Sequence, residues 1–139
     1  MQKIVIDTNV MVSALIQRSY PYLIMYELFI DERFELCVSE ELVAEYYEVL
    51  SREKFSKFHD FFIRAESLLA EIESKAVKYT PTIELNLISD DDDNMILELA
   101  DECAADFIIT GNSRDFTFPM YKQTKIVNPK EYWENHLPT

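Results

Sequence analysis

The stretch KIVIDTNVMVSALI, residues 3–16, decides how the rest of the chain is read. Residues 3–6 form a short apolar run stopped by an acid, the pattern of a buried strand rather than a half-exposed one. Asp7 therefore stands at that strand's carboxyl end, and a helix is predicted from Asn9 to about Ile16. The same alternation continues outward. Pro21 is placed to open a second helix reaching about Asp31. Residues 34–38 read as a strand. Ser39 caps a helix to about Leu50, with Glu40 and Glu41 in its first turn, where the helix dipole favours negative charge. Residues 56–75 read as one long helix carrying Phe58, Phe61, Phe62, Leu68, Leu69 and Ile72. Residues 76–79 are a short strand stopped by Pro81. The acids at 90–93 lead into a helix ending near Ala104. Residues 107–110 and 126–127 are further strands, and Pro129 starts a terminal helix with Tyr132 and Trp133. Strands separated by helices predict an α/β fold: a three-layer α/β/α sandwich around a central parallel sheet. Ligands of such folds bind beyond the carboxyl ends of the strands. Without repeat, linker or composition break, residues 1–139 are expected to form one domain.

Composition excludes several classes. The chain is 48% hydrophobic and 28% charged, which argues for a folded protein and against disorder. Its net charge of −13 opposes a plain nucleic-acid coating role, which needs cations to neutralise phosphates. The excess acid points instead to a cation site, a basic partner or simple solubility. One glycine, Gly111, cannot build a P-loop or a dinucleotide-binding turn, both of which need several. Cys37 and Cys103 sit among apolar residues and read as buried reduced thiols; they are too few for a disulfide framework or zinc cluster. His59 and His136 read as surface residues. The apolar runs are too short to span a bilayer, and Asp7 comes too early for a secretory signal, so a cytoplasmic protein with no membrane contact is expected.

The carboxylates carry the chemistry. Asp7 would serve as a helix cap, but Thr8 and Asn9 would do so equally, and three candidates in a row exceed what a cap needs. Glu45 lies about 60° from Leu42 and about 40° from Val49 on the helix wheel, at the border of the buried stripe. Asp90, Asp91 and Asp92 are accounted for as charges balancing a helix dipole. Asp93 is not, because it aligns with Ile96, Leu97, Ala100 and Ala104 along the apolar stripe. A carboxylate there must be paired, hydrogen-bonded or metal-bound. Asp115 follows the strand at 107–110 by a short loop containing Asn112, again at a carboxyl edge, though it would also serve as a turn or cap residue. Asp106 precedes that strand and is expected at the opposite edge in a structural role. Several oxygen ligands with no histidine or cysteine cluster select a hard cation, Mg²⁺ or Mn²⁺, able to activate water against a phosphodiester.

These residues carry a resemblance. The opening Ile4-Val5-Ile6-Asp7-Thr8-Asn9, the run from Ser39 through Glu45 to Leu50, the run from Asp90 through Asp93 to Ala100, and Ala105 through Asn112 to Phe116 resemble, in order, the motifs of the PIN-domain family. Lys125 to Tyr132 is similar to that family's usual end. The likeness spans nearly the whole chain and looks closest to the bacterial and archaeal branch of toxin components of toxin–antitoxin pairs. It implies a PIN-like fold and a metal-dependent ribonuclease whose four acids, by motif position Asp7, Glu45, Asp93 and Asp115, hold the metal and activate water. Asn112 stands where many members have Asp, and Asp92 is a neighbour able to share or replace the role of Asp93. Thr8 and Asn9 support the first motif. The resemblance also implies a single-stranded or structured RNA substrate, homo-oligomerisation, and an antitoxin protein inserted into the acidic site. Arg52, Lys54 and Lys57, and separately Arg114, are the cations available to substrate, or ordinary solvated surface. Two other readings compete. One is a catalytically weak or inactive PIN-like module acting as a protein- or RNA-binding partner. The other is a phosphotransfer domain, which lacks its second Asp after Asp7 and a lysine at a strand end.

Overall fold

The computed structural model describes residues 1–88, 90–112, 116 and 118–138. Among the described residues six strands form one sheet in the order β3-β2-β1-β4-β6-β5. They are β1 (Lys3–Ile6), β2 (Glu35–Val38), β3 (Val77–Lys78), β4 (Phe107–Ile109), β5 (Met120–Tyr121) and β6 (Thr124–Val127). The helices are α1 (Thr8–Ile16), α2 (Tyr20–Leu23), α3 (Glu40–Leu50), α4 (Phe61–Lys75), α5 (Asp91–Cys103) and α6 (Pro129–Asn135). Every strand pair is parallel except β5 with β6. Side chains alternate between the two faces of a strand. Ile4, Val5 and Ile6 of the central strand are all 0% exposed, so both faces of the sheet are covered and three layers follow.

The register sets the carboxyl edge. Ile6 pairs with Ile109, and Ile109 with Val127, so β1, β4 and β6 end level with one another. Asp7 N donates to Ile109 O at 3.0 Å, carrying the ladder one residue past β1. The helices that leave this edge start as their caps dictate. Leu42 N donates to Ser39 Oγ at 3.1 Å, and Asp92 N donates to Asp90 Oδ1 at 2.9 Å. At α6, Glu131 N donates to Asn128 Oδ1 at 2.8 Å while Asn128 N donates to the Glu131 carboxylate, a reciprocal capping box. Tyr46, wholly buried in α3, donates its hydroxyl to Ile6 O and so fixes the end of β1 beside Asp7.

Three expectations needed correction. The helix expected over residues 21–31 begins as α2 but continues over Ile24–Phe29 as a π-helix, with Ile30 N reaching back to Met25 O at 3.2 Å. Burial of Ile24, Met25, Leu28 and Phe29 holds this wider turn, and Lys75 Nζ takes the Ile30 carbonyl at 2.6 Å. The long helix expected over 56–75 starts only at Phe61, because Asp60 is left-handed (φ 55°). The chain turns there through a short 3₁₀ segment, Glu53–Phe55, and brings the Phe55 and Phe61 rings into a stack 4.7 Å apart. The aromatic spacing that mimicked a helical stripe is therefore a chain reversal closed by stacking. Finally, β5 was not expected; it adds one antiparallel edge strand to a sheet that is otherwise parallel, as read. The β5–β6 hairpin turns through Lys122 at φ 52°, without the Gly or Asn that marks such turns in sequence.

Cys37 and Cys103 are free and buried, as read. They meet in the core, where hydrogen bonding to Cys103 together with burial pushes the Cys37 thiol far above its ordinary range and keeps it protonated. His59 is exposed, and His136 packs on the Phe107 ring at 4.9 Å. Among the described residues no helix is long and apolar enough to cross a membrane.

Candidate active site

At the carboxyl edge of β1 and β4 lies an open pocket of about 470 Å³. Asp7, Glu45 and Asp93 line it from three separate segments, joined by Asp90, Asp92, Thr8, Asn9 and Asn112. Asp115 lies outside the described residues. Arg52 and Lys54 also reach the pocket, and Arg52 is engaged by Glu48 at 2.8 Å. Asp106 stands at the other edge of the sheet, accepting from Lys3 N at 2.8 Å, the structural role expected of it.

Each residue of the opening motif has a partner other than the helix end. Asp7 sits at the N-cap position of α1 but makes no side-chain cap bond. Its Oδ2 accepts instead from Thr110 Oγ1 at 2.8 Å and from Asn9 Nδ2 at 3.3 Å. Thr8 donates its hydroxyl to Glu45 Oε2, tying α1 to α3. Asn9 Oδ1 accepts from Gly111 N at 3.0 Å. Gly111 leaves room for that approach: a Cβ there would lie 3.3 Å from Asn9 Oδ1, and the Asn9 amide would have to shift by a few tenths of an ångström. Thr110 is fully buried, and its Oγ1 accepts from Asn112 N at 3.1 Å while donating to Asp7.

Thr110 is one residue that sequence reading did not single out. Its signal was present, since a threonine ending a fully buried apolar strand must satisfy its hydroxyl locally. Asn94 was also missed. It is 3% exposed and holds the chain before α5, accepting from Leu87 N at 3.1 Å and Ile88 N at 3.0 Å and donating to Ile88 O at 2.6 Å. Asn94→Ala strips all three bonds from a partly buried loop next to Asp93. A loss of roughly 2–3 kcal/mol in denaturant unfolding is expected, since each unmet buried group costs about 1–3 kcal/mol. A change below about 0.5 kcal/mol would show that the loop holds itself.

Electrostatically the pocket is strained toward neutralisation. Burial raises the Glu45 carboxyl above its ordinary value, the neighbouring Asp92 and Asp7 charges raise it further, and only the Thr8 bond pulls it back. Asp93 is 9% exposed on the face of α5 shared by Ile96, Leu97 and Ala100, whereas Asp92 is exposed. The donor chemistry is hard oxygen throughout, which suits Mg²⁺ or Mn²⁺. Among the described residues, no group of three His, Cys, Asp or Glu side chains is placed to hold an ion together.

The sequence model of the PIN domain matches residues 3–114. This chain belongs to the PIN domain family. No curated protein matches it. Among solved structures, a chain of VapBC2 from Rickettsia felis, crystallised bound to a DNA fragment from their promoter, is similar in fold, with a TM-score of 0.60. The two share 19% identity over 91% of this chain and 98% of that one. The α/β architecture with its mostly parallel sheet is thus that of a PIN domain, and the acidic pocket lies within the matched span.

Proposed function

We propose that this PIN domain, a single unit over residues 1–139, is a metal-dependent endoribonuclease. The observation that supports it best is the meeting of Asp7, Glu45 and Asp93, from three distant segments, in one pocket at the carboxyl edge of the sheet. Asp7, Glu45, Asp93 and Asp115 would hold Mg²⁺ or Mn²⁺, with Asp92 and Asn112 beside them. When bound, the ion supplies Lewis-acid activation of water and neutralises charge on the phosphodiester. The chain's own part is positional. Thr110 and Asn9 orient Asp7, Thr8 orients Glu45, and the Tyr46 bond to Ile6 O holds the strand end that carries Asp7. Arg52 and Lys54 at the pocket rim would meet the negative backbone of a single-stranded or structured RNA. The motif resemblance and the shared fold support a cytoplasmic toxin component that forms homo-oligomers, with an antitoxin protein as partner. A basic segment of such a partner complements a chain of net charge −13.

A second reading, a catalytically weak or inactive PIN-like module, is favoured by the lack among the described residues of three side chains placed on one ion. Purified protein is to be incubated with end-labelled single-stranded RNA in Mn²⁺, Mg²⁺ or EDTA, with Asp7→Asn carried through the same purification. Cutting that needs metal and disappears in Asp7→Asn is expected. Metal-independent cutting, or equal cutting by both proteins, would reject the proposal.

A further inference from the structure

A groove on the flank of α1 differs in character from the acidic pocket. It lies between the end of α1, the α2–π segment and the start of α4, has a volume of about 460 Å³, and is lined by Ile16, Arg18, Tyr22, Tyr26, Phe58 and Arg64, among others. The Tyr22 and Tyr26 rings stack with centroids 4.7 Å apart and 28° between planes. The exposed Arg18 guanidinium lies 5.3 Å from the Tyr22 centroid. Arg64 donates to Leu15 O at 2.6 Å, so its guanidinium is held at the groove wall. Asp60, the acid in the lining, is engaged by His59 at 3.0 Å. In a chain with 26 acids and 13 bases, this is a local reversal of charge built around stacked rings.

The groove and the acidic pocket are separate cavities along the same helix. Val12 and Ser13 of α1 line the pocket, while Leu15 and Ile16 of the same helix line the groove. At about 1.5 Å per residue, α1 spans roughly 12 Å from Thr8 to Ile16, the distance a strand bound at both would cover. Two further cation–aromatic pairs stand on the connecting segment: Lys54 lies 5.3 Å from the Phe55 ring centre, and Lys57 lies 5.4 Å from that of Phe58. Rings beside cations are what a single strand requires, because every base has a face to stack and every nucleotide a phosphate to neutralise. A basic protein segment would be repelled by Arg18 and Arg64.

We propose that this groove binds the single-stranded RNA flanking the cut, with bases on the Tyr22–Tyr26 stack and phosphates at Arg18 and Lys57. The placement relative to the cut rests on the ribonuclease reading above; the binding itself does not. The test measures fluorescence anisotropy of a labelled 12-nucleotide single-stranded RNA against Asp7→Asn protein in Mn²⁺, alone and with added Arg18→Ala, Tyr22→Ala or Tyr22→Phe. Arg18→Ala and Tyr22→Ala are each expected to weaken binding at least about 5-fold. Tyr22→Phe, which keeps the ring, should retain the affinity. Arg18→Ala should also lower the slope of log K against log salt by about 0.7, the value for one single-strand phosphate contact. Unchanged affinity in both alanine variants overturns the proposal. So does loss of binding of an acidic Glu/Leu decapeptide in Arg18→Ala with RNA binding intact, which would assign the groove to a protein. A parent chain that cuts no RNA while Tyr22→Ala still loses RNA affinity would sink the nuclease reading and leave the groove standing. Cutting by the parent with unchanged affinity in the variants would sink the groove alone.

Discussion

Asp93→Asn is expected to lower metal-dependent RNA cleavage by about 10³-fold, in the range seen when one electrostatic group is removed from a transition-state site. In EDTA the chain should stay folded, with a melting temperature equal to or above that of the parent. Both halves follow from where α5 starts. Asp93 is 9% exposed and shares its face with Ile96, Leu97 and Ala100, at 1%, 0% and 0%. The side chain is thus directed by the helix into the pocket that Asp7 and Glu45 enter from other elements. Asparagine keeps the shape and removes one of several like charges, so the ground state loses repulsion, while on the proposed function a metal ligand is lost. Asp92 is the control one residue away. It is exposed, yet close enough to Glu45 to raise that carboxyl. Full activity in Asp93→Asn with an inactive Asp92→Asn would move the assignment by one residue, and full activity in both would sink it.

The helix wheel could separate Asp93 from its three acidic neighbours because α5 keeps an uninterrupted 3.6-residue period after a clear cap, so angular position survives into the fold. Asp7 was legible for a similar reason: a buried strand has an end, and the end of a parallel strand is where sites form. The distances that make these residues a group were not legible. They depend on β1 pairing with β4 across more than a hundred residues, and nothing local encodes that pairing. Thr110 shows the same gap. Its type and place at a strand end were visible, but its partner Asp7 is 103 residues away.

The elements misread are those in which one residue breaks the local rule under tertiary control. Asp60 and Lys122 take left-handed backbone at φ 55° and φ 52° without being glycine. Asp60 carried a weak signal, since aspartate tolerates this backbone, whereas Lys122 carried none; the Phe55–Phe61 stack and the Lys122 Nζ bond to Asp101 at 2.7 Å appear only when the fold is complete. The π-helix over Ile24–Phe29 carries the same lesson, since a wider turn is invisible to a period count that assumes 3.6. That departure matters for the proposed groove, because Tyr26 of the π-helix stacks on Tyr22 of α2.

Glu45→Gln is expected to make the metal-free chain more stable at pH 7 and the Mn²⁺-loaded chain less stable, so that the two melting curves change order when metal is added. In the metal-free chain Glu45 is raised above its ordinary 4.5 by burial, then by Asp92 and Asp7. Between 4.5 and the raised folded value the folded state binds more protons than the unfolded one, so stability falls as pH rises through that window and the penalty is complete above it. Glutamine carries no such penalty; its advantage in EDTA should shrink toward zero as pH drops below 4.5. Metal reverses the balance, because an ion that binds only the folded chain stabilises it by about 2.7 kcal/mol at 100 times its dissociation constant. For a chain of this length that corresponds to a shift of roughly 8–12 °C. The parent should show it with Mn²⁺, and Glu45→Gln should lose most of it along with a ligand. Differential scanning calorimetry in EDTA and in millimolar Mn²⁺, at pH 4 and pH 7, reads all four conditions. A parent chain whose melting temperature moves with neither Mn²⁺ nor Mg²⁺ would contradict the assignment of Asp7, Glu45, Asp93 and Asp115 as ligands. A Glu45→Gln chain with an unaltered metal shift would remove Glu45 alone from that set.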